Sequence, residues 1–395
     1  MRILNSKLKD DVLHSVLSIV EKRRSEIILE NKRDLEAWKG SDQAMYDRLI
    51  VNERKVDDML RAVRDIIADE DPVGKRLYDY IHPNGIRIEN RTAPFGVVMI
   101  IYESRPDVTI EAAMVAFKSN NRILLKGGKE AIHTNKILVD CWHQALDLHG
   151  LSQDWITLLE FDRHQTQQFL KQPDQSLDLI VPRGGESLIQ FVRQHANCPV
   201  LISGRGNNFL YVHHDADWNM ALSVIHNAKT DKISACNALD KVLLSRQLPD
   251  LDKKLNQLYQ HLSQSNVEVL VDHRFDSEIG KNDLSKEWEK EYLALKIAIG
   301  KVEGLEKAIE IINKYSGGHS VSIITENREV ARQFMDEIDA ASVFHNASTR
   351  FTDGGQFGLG AELAISTDKL HHRGPLGLHE LVTNKWYVFG EGQVR

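Results

Sequence analysis

The chain has 395 residues, of which 42% are hydrophobic and 27% charged, and its formal net charge is -7. This composition is typical of a globular protein with room for two domains, and the acidic balance argues against a dedicated nucleic-acid binder. No apolar run approaches the length that crosses a bilayer, and charges interrupt the N-terminal segment too often for a signal peptide, so we expect a cytoplasmic protein.

The first elements along the chain are predicted helices and a hairpin. Residues 8–69 have apolar positions at helical spacing. Two alternating stretches then flank Asn84-Gly85, a strong turn signal, and predict a hairpin over 78–95. The hairpin has no obvious core to cover, so it is either a surface ribbon or an arm that pairs with another subunit.

After the hairpin, apolar strands alternate with helices. Five short strands are predicted in FGVVMIIYE, NRILLKGG, WITLLEF, LDLIVPRGG and CPVLISGRG. Such alternation is typical of a parallel sheet covered by helices on both faces, and ligands of such sheets bind at the carboxyl ends of the strands. The alternation begins again near residue 217, with helices predicted at 250–264 and 303–315, and indicates a second α/β domain.

Two turns at predicted strand ends suit a dinucleotide, although neither G-x-G-x-x-G nor the P-loop pattern occurs. In KGGKE, Lys126 stands before a helix start with two exposed backbone amides, and PRGGE repeats the arrangement with Arg183. Helix N-termini with a nearby cation bind phosphate oxygens well. One such turn alone often only saves space, but two on neighbouring strands favour a dinucleotide site.

The three cysteines, Cys141, Cys198 and Cys236, stand far apart, which indicates a reducing compartment and no zinc site, and we expect no metal. A cysteine in mid-chain is usually a small hydrophobe. Cys236, however, lies among small and polar residues with Lys229 and Lys232 nearby, and a cationic setting lowers the pKa of a thiol. We therefore interpret Cys236 as a candidate nucleophile.

The loop NASTRFTDGGQFGLGAE, residues 346–362, gathers hydrogen-bond donors and one guanidinium. Its glycines could simply serve turns. Asn346, Ser348 and Arg350, however, are suited to binding a carboxylate or a phosphate. The loop is therefore predicted to form one wall of a site.

Six segments resemble, in order, the γ-glutamyl phosphate reductase family, also called glutamate-5-semialdehyde dehydrogenase, of the aldehyde dehydrogenase superfamily. They are PFGVVMIIYESRPDVT, LLKGGKEA, VPRGGESLI, NAKT…SACNALDKVLL, NASTRFTDGGQFGLGAE and HHRGPLGL. The resemblance implies an aldehyde dehydrogenase-like α/β fold with a Rossmann-like cofactor domain (1–77 and 96–211), an α/β catalytic domain (212–382) and oligomerisation elements (78–95 and 383–395). It also implies NADPH-dependent reduction of L-glutamyl 5-phosphate to L-glutamate 5-semialdehyde in proline biosynthesis.

The resemblance also assigns residues. Cys236 would be the nucleophile, and Ser104 lies in the segment that corresponds to the oxyanion hole. Five residues would bind the cofactor: Lys126 at the adenosine ribose or its phosphate, Arg183, Gly184 and Gly185 at the phosphates, and Glu291 at the nicotinamide ribose. The anionic groups of the substrate would be held by Arg105, Asn346, Ser348 and Arg350.

Two segments depart from the family's pattern. Asp231-Lys232-Ile233-Ser234 stands where a Gln-Arg-Pro-Ser-like stretch is usual, and Asn207-Asn208-Phe209 stands where a Cys-His pair is typical. Two alternatives therefore stay open: a catalytically silent nucleotide-binding scaffold of the same fold, and an acylating reductase for another acyl phosphate or an acyl-CoA.

The partners expected from the sequence are a second copy of the chain and the enzyme that supplies the substrate. The hairpin and the final strand predict a homodimer or larger assembly. A glutamate kinase is an expected functional partner, because an acyl phosphate beside its own amine cyclises readily. The KGGKE turn does not distinguish NAD from NADP.

Overall fold

The computed structural model describes residues 2–202, 204–279 and 281–395. These residues form two compact units. The first unit runs to Ile202 and includes Gly358–Ala364 and Pro375–Arg395, and the second runs on to Phe357 and includes Ile365–Gly374. No helix among the described residues is long and apolar enough to span a membrane.

The first unit contains eight α-helices and a parallel sheet among its described residues. The helices are α1 (Ser6–Lys22), α2 (Arg24–Ala37), α3 (Gln43–Leu49), α4 (Glu53–Ala68), α5 (Asp107–Lys118), α6 (Ile132–Leu148), α7 (Arg163–Lys171) and α8 (Glu186–His195). The strands are β1 (Arg76–Ile81), β2 (Arg87–Pro94), β3 (Val97–Tyr102), β4 (Arg122–Lys126), β5 (Ile156–Leu158) and β6 (Leu179–Arg183). Helices α1, α3 and α4 begin where Asn5, Asp42 and Asn52 cap the first turn through their side chains.

The parallel sheet of the first unit has the strand order β5-β4-β3-β6. Its apolar strands are buried, as continuous hydrophobic runs predict. The strand predicted in CPVLISGRG does not form among the described residues, where a single bridge joins Val200 to Ile180. Pro199 has no amide hydrogen to donate to a ladder, which accounts for the short pairing. Ser203 of this segment lies outside the described residues.

The predicted hairpin is present as β1 and β2, and the final strand β15 (Val382–Phe389) completes a three-stranded antiparallel sheet in the order β1-β2-β15. Pairing places five apolar side chains in two neighbouring rows on one face of this sheet: Tyr78, Tyr80, Ile88, Trp386 and Val388. We call this surface the apolar face. Four of its side chains are more than 40% exposed in the single chain.

The second unit is built on a six-stranded parallel sheet in the order β12-β11-β7-β8-β10-β9. Its strands are β7 (Asn208–Val212), β8 (Leu239–Ser245), β9 (Glu268–Val271), β10 (Lys296–Val302), β11 (Ser320–Ile324) and β12 (Ser342–His345). Its helices are α9 (Trp218–Thr230), α10 (Leu251–Ser263), α11 (Leu305–Tyr315) and α12 (Arg328–Glu337). Two further strands, β13 (Glu362–Ser366) and β14 (Gly374–Gly377), pair with each other.

Candidate active site

Cys236 lies in the turn between α9 and β8, and its side chain is partly buried. The Cys236 carbonyl accepts a hydrogen bond from Asn208 Nδ2 at 2.7 Å, and the same amide donates to the Ala238 carbonyl at 2.7 Å. Asn208 is fully buried at the start of β7, and its Oδ1 accepts from the Ser320 amide at 3.0 Å. Asn208, one of the departures from the family's pattern, therefore fixes the backbone of the cysteine turn to the sheet.

Gly206 packs directly against the backbone of Cys236. A β-carbon at position 206 would lie 1.8 Å from the Cys236 carbonyl oxygen and 2.7 Å from its Cα. Real β-carbons essentially never show contacts under 3.0 Å. Only glycine allows the two backbone segments to approach this closely.

The loop that begins at Asn346 is joined to the cysteine turn through Asn237, the residue after Cys236. Asn237 Nδ2 donates to the carbonyls of Thr352 at 2.8 Å and Arg350 at 3.2 Å. Arg350 in turn donates from Nη1 to Asn237 Oδ1 and from Nε to Asp231 Oδ2, the latter at 3.0 Å. The structure therefore brings the predicted anion-binding guanidinium beside the predicted nucleophile, with Asp231 as its partner.

The other two predicted substrate contacts in this loop are engaged with the backbone. Asn346, at φ 55°, accepts from the Thr325 amide and donates to the Thr325 carbonyl, both at 3.0 Å. Ser348 Oγ accepts from the Arg350 amide at 3.3 Å. These contacts shape the loop, and the predicted roles of Asn346 and Ser348 toward a substrate stay predictions.

Lys229 does not contribute to the cationic surroundings that were predicted for Cys236. This side chain is fully buried and its Nζ lies 3.0 Å from Asp240 Oδ1. Burial lowers the pKa of Lys229. The helical spacing of α9 turns residue 229 toward β8, so its charge is matched inside the unit and is not presented beside the thiol.

Glu291 contacts the same glycine as Cys236. Its Oε1 accepts from the Gly206 amide at 2.9 Å, and burial raises the pKa of the carboxyl. The Gly206 amide thus holds Glu291, while the Gly206 Cα abuts Cys236. The structure therefore brings together two residues that lie 55 positions apart in the sequence.

The segment that carries Glu291 is fixed by buried polar side chains of the central strands. Lys241 Nζ donates to the Lys290 carbonyl at 2.7 Å, and Asp240 Oδ2 accepts from the Tyr292 amide at 3.0 Å. Lys241 is fully buried, and burial lowers its pKa to about 7. The sequence analysis missed Lys241, whose charge in the apolar run of β8 was the available signal.

In the first unit, the ends of two strands, β4 and β6, carry predicted cofactor residues, and β3 lies between them. Tyr102, at the end of β3, pairs with Arg183 of β6, and Lys126 ends β4. Lys126 Nζ donates to the Gly127 carbonyl at 2.7 Å, and burial lowers the pKa of Lys126. Lys126 and Arg183 therefore lie at the same edge of the sheet, as predicted for parallel strands. The prediction that their turns follow neighbouring strands is wrong, because β3 lies between β4 and β6.

The two predicted phosphate turns differ from each other. The expectation of two exposed amides in KGGKE is wrong, because Gly127 is buried. A β-carbon added at Gly127 would lie 2.2 Å from the Asn135 side chain. A short 3₁₀ turn precedes α6 here. In PRGGE, Gly184 and Gly185 are exposed, and α8 begins without a side-chain cap. Glu103 Oε2 accepts from the Gly185 amide at 3.1 Å.

The residues at these strand ends can be compared with the groups of a dinucleotide that they would bind. The Gly185 amide is held by Glu103, whereas the amides that follow it in the first turn of α8 have no N-cap side chain and are suited to phosphate oxygens. Arg183 and Lys126 add positive charge at the same edge. The residues present therefore fit a nicotinamide dinucleotide, with the phosphates placed at PRGGE better than at KGGKE.

Ser104 is held in an unusual conformation after β3. Its φ is 40°, and both its amide and its Oγ donate to Glu130 Oε1 at 2.8 Å. Only 1% of Ser104 is exposed. A non-glycine residue in the left-handed region is strained, and Glu130 compensates by holding it. The role of Ser104 as an oxyanion donor stays a prediction.

The fold is that of an aldehyde dehydrogenase-like α/β protein. No family model matches the chain. The structure of an acetylating aldehyde dehydrogenase from Geobacillus thermoglucosidasius has a TM-score of 0.71 at 17% identity, covering 99% of this chain and 93% of that one. Closer relatives identify the family. The γ-glutamyl phosphate reductase of Dictyoglomus thermophilum is 40% identical over 400 residues, covering 100% of this chain and 96% of the relative.

A solved structure leads to the same family. The crystal structure of the γ-glutamyl phosphate reductase from Thermotoga maritima has a TM-score of 0.95 at 40% identity and covers 100% of this chain and 96% of that one. The chain belongs to the γ-glutamyl phosphate reductase family. The family and the fold predicted from the sequence are confirmed, and the chain is an oxidoreductase.

Proposed function

We propose that this chain reduces L-glutamyl 5-phosphate to L-glutamate 5-semialdehyde with release of phosphate, in proline biosynthesis, and that Cys236 is the nucleophile. Membership of the family supports the reaction. The observation that carries the assignment of the nucleophile is the positioning of Cys236: Gly206 and Asn208 fix its backbone, and Arg350 and Glu291 are held beside the same turn.

The reaction follows from the chemistry of a thiolate. The Cys236 sulfur attacks the acyl carbon, the bond from that carbon to the phosphate oxygen breaks, and phosphate leaves with the electron pair. A thioester remains on Cys236. NADPH, when bound, supplies the hydride that reduces the thioester. The resulting thiohemiacetal collapses by breaking its carbon–sulfur bond, which releases the aldehyde and restores the thiolate.

Negative charge develops on the carbonyl oxygen during attack, and it needs fixed donors. We assign the Cys236 backbone amide to this role. The segment LISGRGNNFLYV before the cysteine turn has no carboxylate to activate water. Without a base in this segment, hydrolysis of the thioester is not promoted from there, which suits a reductive enzyme.

The cofactor and substrate assignments are part of the proposal. Lys126 is assigned to the adenosine ribose or its phosphate, PRGGE to the pyrophosphate, and Glu291 to the nicotinamide ribose. The uncapped start of α8 supports the second of these. Arg350 is assigned to an anionic group of the substrate, and the partly buried Arg105 to the other.

Phosphate-dependent reduction of NADP⁺ by glutamate 5-semialdehyde tests the proposal. We expect wild type to be active, Cys236→Ala to be inactive, and Cys198→Ala to match wild type. Activity in none of the three would favour the silent scaffold. Activity only with another aldehyde, or only when CoA replaces phosphate, would favour the other acylating reductase. A parallel series with NAD⁺ measures the cofactor preference.

We also propose that the chain forms a homodimer or larger assembly through the apolar face. Exposed aromatic side chains on a small antiparallel sheet, such as Tyr78 and Trp386 with ring centroids 5.7 Å apart, are typical of protein interfaces. Trp386→Lys is expected to lower the mass measured by light scattering, whereas Leu370→Lys, at a more exposed position off this sheet, leaves it unchanged. An unchanged mass for Trp386→Lys would contradict the assignment.

Coupling to a glutamate kinase and a cytoplasmic location complete the proposal. The substrate's acyl phosphate cyclises onto its own amine, so rapid transfer from the kinase protects it. A reducing compartment keeps the Cys236 sulfur as a thiol. A shorter lag in the coupled assay with the kinase than with pre-formed substrate diluted to the same concentration would support the coupling.

A further inference from the structure

The backbone on both sides of Glu291 is held by two neighbouring buried side chains of β8. On one side, Lys241 Nζ donates to the Lys290 carbonyl at 2.7 Å. On the other side, Asp240 Oδ2 accepts from the Tyr292 amide at 3.0 Å, and Lys241 Nζ lies 3.9 Å from the centroid of the Tyr292 ring. A residue whose two chain neighbours are both held has little freedom of its own, so these contacts determine where Glu291 lies.

The residues just before β7 hold the same stretch of chain from a second direction. Asn207 is 2% exposed, and its Nδ2 donates to the Trp288 carbonyl at 2.6 Å. The Gly206 amide donates to Glu291 Oε1 at 2.9 Å. We call residues 288–292 the Glu291 segment. Asn207, which belongs to a departure from the family's pattern, therefore joins the Glu291 segment to the chain that leads into β7.

The Glu291 segment reaches the nucleophile through Gly206. The Gly206 backbone packs against Cys236 so closely that a β-carbon on Gly206 would lie 2.7 Å from the Cys236 Cα. A shift of Gly206 must therefore move the cysteine turn or open a gap behind it. All of these residues belong to the second unit. A continuous path of contacts thus leads from β8 through the Glu291 segment and Gly206 to Cys236.

The charged side chains at the β8 end of this path are costly to bury. Lys241 is fully buried, Asp240 is 2% exposed, and Lys229, also fully buried, lies 3.0 Å from Asp240 Oδ1. Burial lowers the pKa of Lys241 to about 7, although the Asp240 carboxylate raises it. Apolar residues of similar volume are often at least as stabilising as buried charges. Charged side chains in a central strand therefore indicate a function beyond stability.

We propose that Lys241 is a positioning residue for the nucleophile, which it fixes in place through the Glu291 segment and Gly206. This inference rests on the proposed function, in which the Cys236 sulfur attacks the acyl carbon. Attack is fast only when the sulfur is held close to its productive position. Lys241 contributes to that position from a distance, by holding the peptide groups that flank Glu291.

Hydrogen exchange measured by mass spectrometry tests the path without any turnover. In Glu291→Ala the Gly206 amide loses its acceptor, and in Lys241→Met the segment that places this acceptor loses its support. Both substitutions should accelerate exchange in the peptide that contains Gly206 by about 10- to 100-fold, the effect of losing a hydrogen bond to a charged group. Glu291 is only partly buried, so Glu291→Ala covers the case that Lys241→Met does not fold.

Asn327→Ala is the matched control for a general loss of stability. Asn327 caps α12 in the same unit by accepting from the amides of Glu329 and Val330, and its loss destabilises the unit without touching the path. Exchange in the Gly206 peptide should stay at the wild-type rate in this variant. Wild-type exchange in both Glu291→Ala and Lys241→Met would overturn the inference, and so would an equal acceleration in Asn327→Ala.

A double substitution shows whether Lys241 acts through Glu291. On a shared path, adding Lys241→Met to Glu291→Ala removes nothing further. Exchange in the Gly206 peptide should therefore remain within about twofold of that in Glu291→Ala alone. Two accelerations that multiply would show independent routes and would overturn the inference.

The consequence for catalysis is a split between kcat and KM in the phosphate-dependent assay. Lys241→Met should lower kcat about 10- to 100-fold. The KM for glutamate 5-semialdehyde should stay within about twofold of wild type, because Arg350 keeps its contacts with Asn237 and Asp231. Wild-type kcat with a raised KM would overturn the inference. If wild type showed no turnover, the proposed function would fall, and the exchange measurements would still decide whether Lys241 positions Gly206.

Discussion

Gly206→Ala is the substitution whose effect follows most directly from the geometry of the site. The new β-carbon would lie 1.8 Å from the Cys236 carbonyl oxygen, whereas real contacts are at least about 3.0 Å. The cysteine turn must therefore move by about 1.2 Å, and neither contacting group is a flexible side chain. A displacement of about 1 Å at a reacting group costs on the order of 100-fold in rate. Overpacking of this kind costs about 1–3 kcal/mol of stability.

The assay is phosphate-dependent reduction of NADP⁺, together with urea unfolding. We expect Gly206→Ala to remain folded at 25 °C, with kcat lowered about 100-fold. Gly304→Ala is the matched control, because its β-carbon would have no neighbour closer than 3.7 Å. Wild-type kcat in Gly206→Ala, with an intact fold, would refute the view that the position of the Cys236 backbone limits the reaction.

Three further outcomes follow from the charges around the site. The Lys241 pKa is about 7 in the folded chain against 10.5 unfolded, so the unfolded state binds more protons between these values and stability rises with pH. Relative to Lys241→Met, the unfolding free energy of wild type should rise by on the order of a few kcal/mol from pH 7 to 10. If urea unfolding gave the same dependence of the unfolding free energy on pH for both proteins, that result would contradict this prediction. Arg350→Lys keeps the charge but loses the forked contacts to Asn237 and Asp231. The KM for the anionic substrate should therefore rise about 10-fold. The control Arg332→Lys, at an exposed position, should leave this KM unchanged. Asp231→Asn should lower KM for the anionic substrate a few-fold by removing a competitor for Arg350, and a raised KM would show that Asp231 positions the arginine instead.

Much of the fold was predictable because hydrophobic pattern is local. The strand at Val97–Tyr102 is an uninterrupted apolar run, and Asn84-Gly85 specified the hairpin. The direction in which Lys229 points and the burial of Gly127 were not predictable, because each depends on the neighbour against which its element packs. A sequence pattern gives the face of a helix or strand but not the partner of that face.

The candidate site was predictable where a residue type itself suggests chemistry. Cys236 and Arg350 were found in this way, and the structure places their segments together. Asn208 was noted only as a departure, since its three backbone contacts are with the cysteine turn and with β11, which are distant from it in sequence.

The most direct test of the central assignment is to look for the acyl group on the protein. Wild type is mixed with glutamyl 5-phosphate without cofactor, quenched in acid, digested, and its cysteine peptides are weighed by mass spectrometry. We predict one glutamyl group on the peptide that contains Cys236, none on those of Cys141 and Cys198, and phosphate released in equal amount. An unmodified Cys236 peptide from an enzyme that turns over when NADPH is added would contradict the assignment.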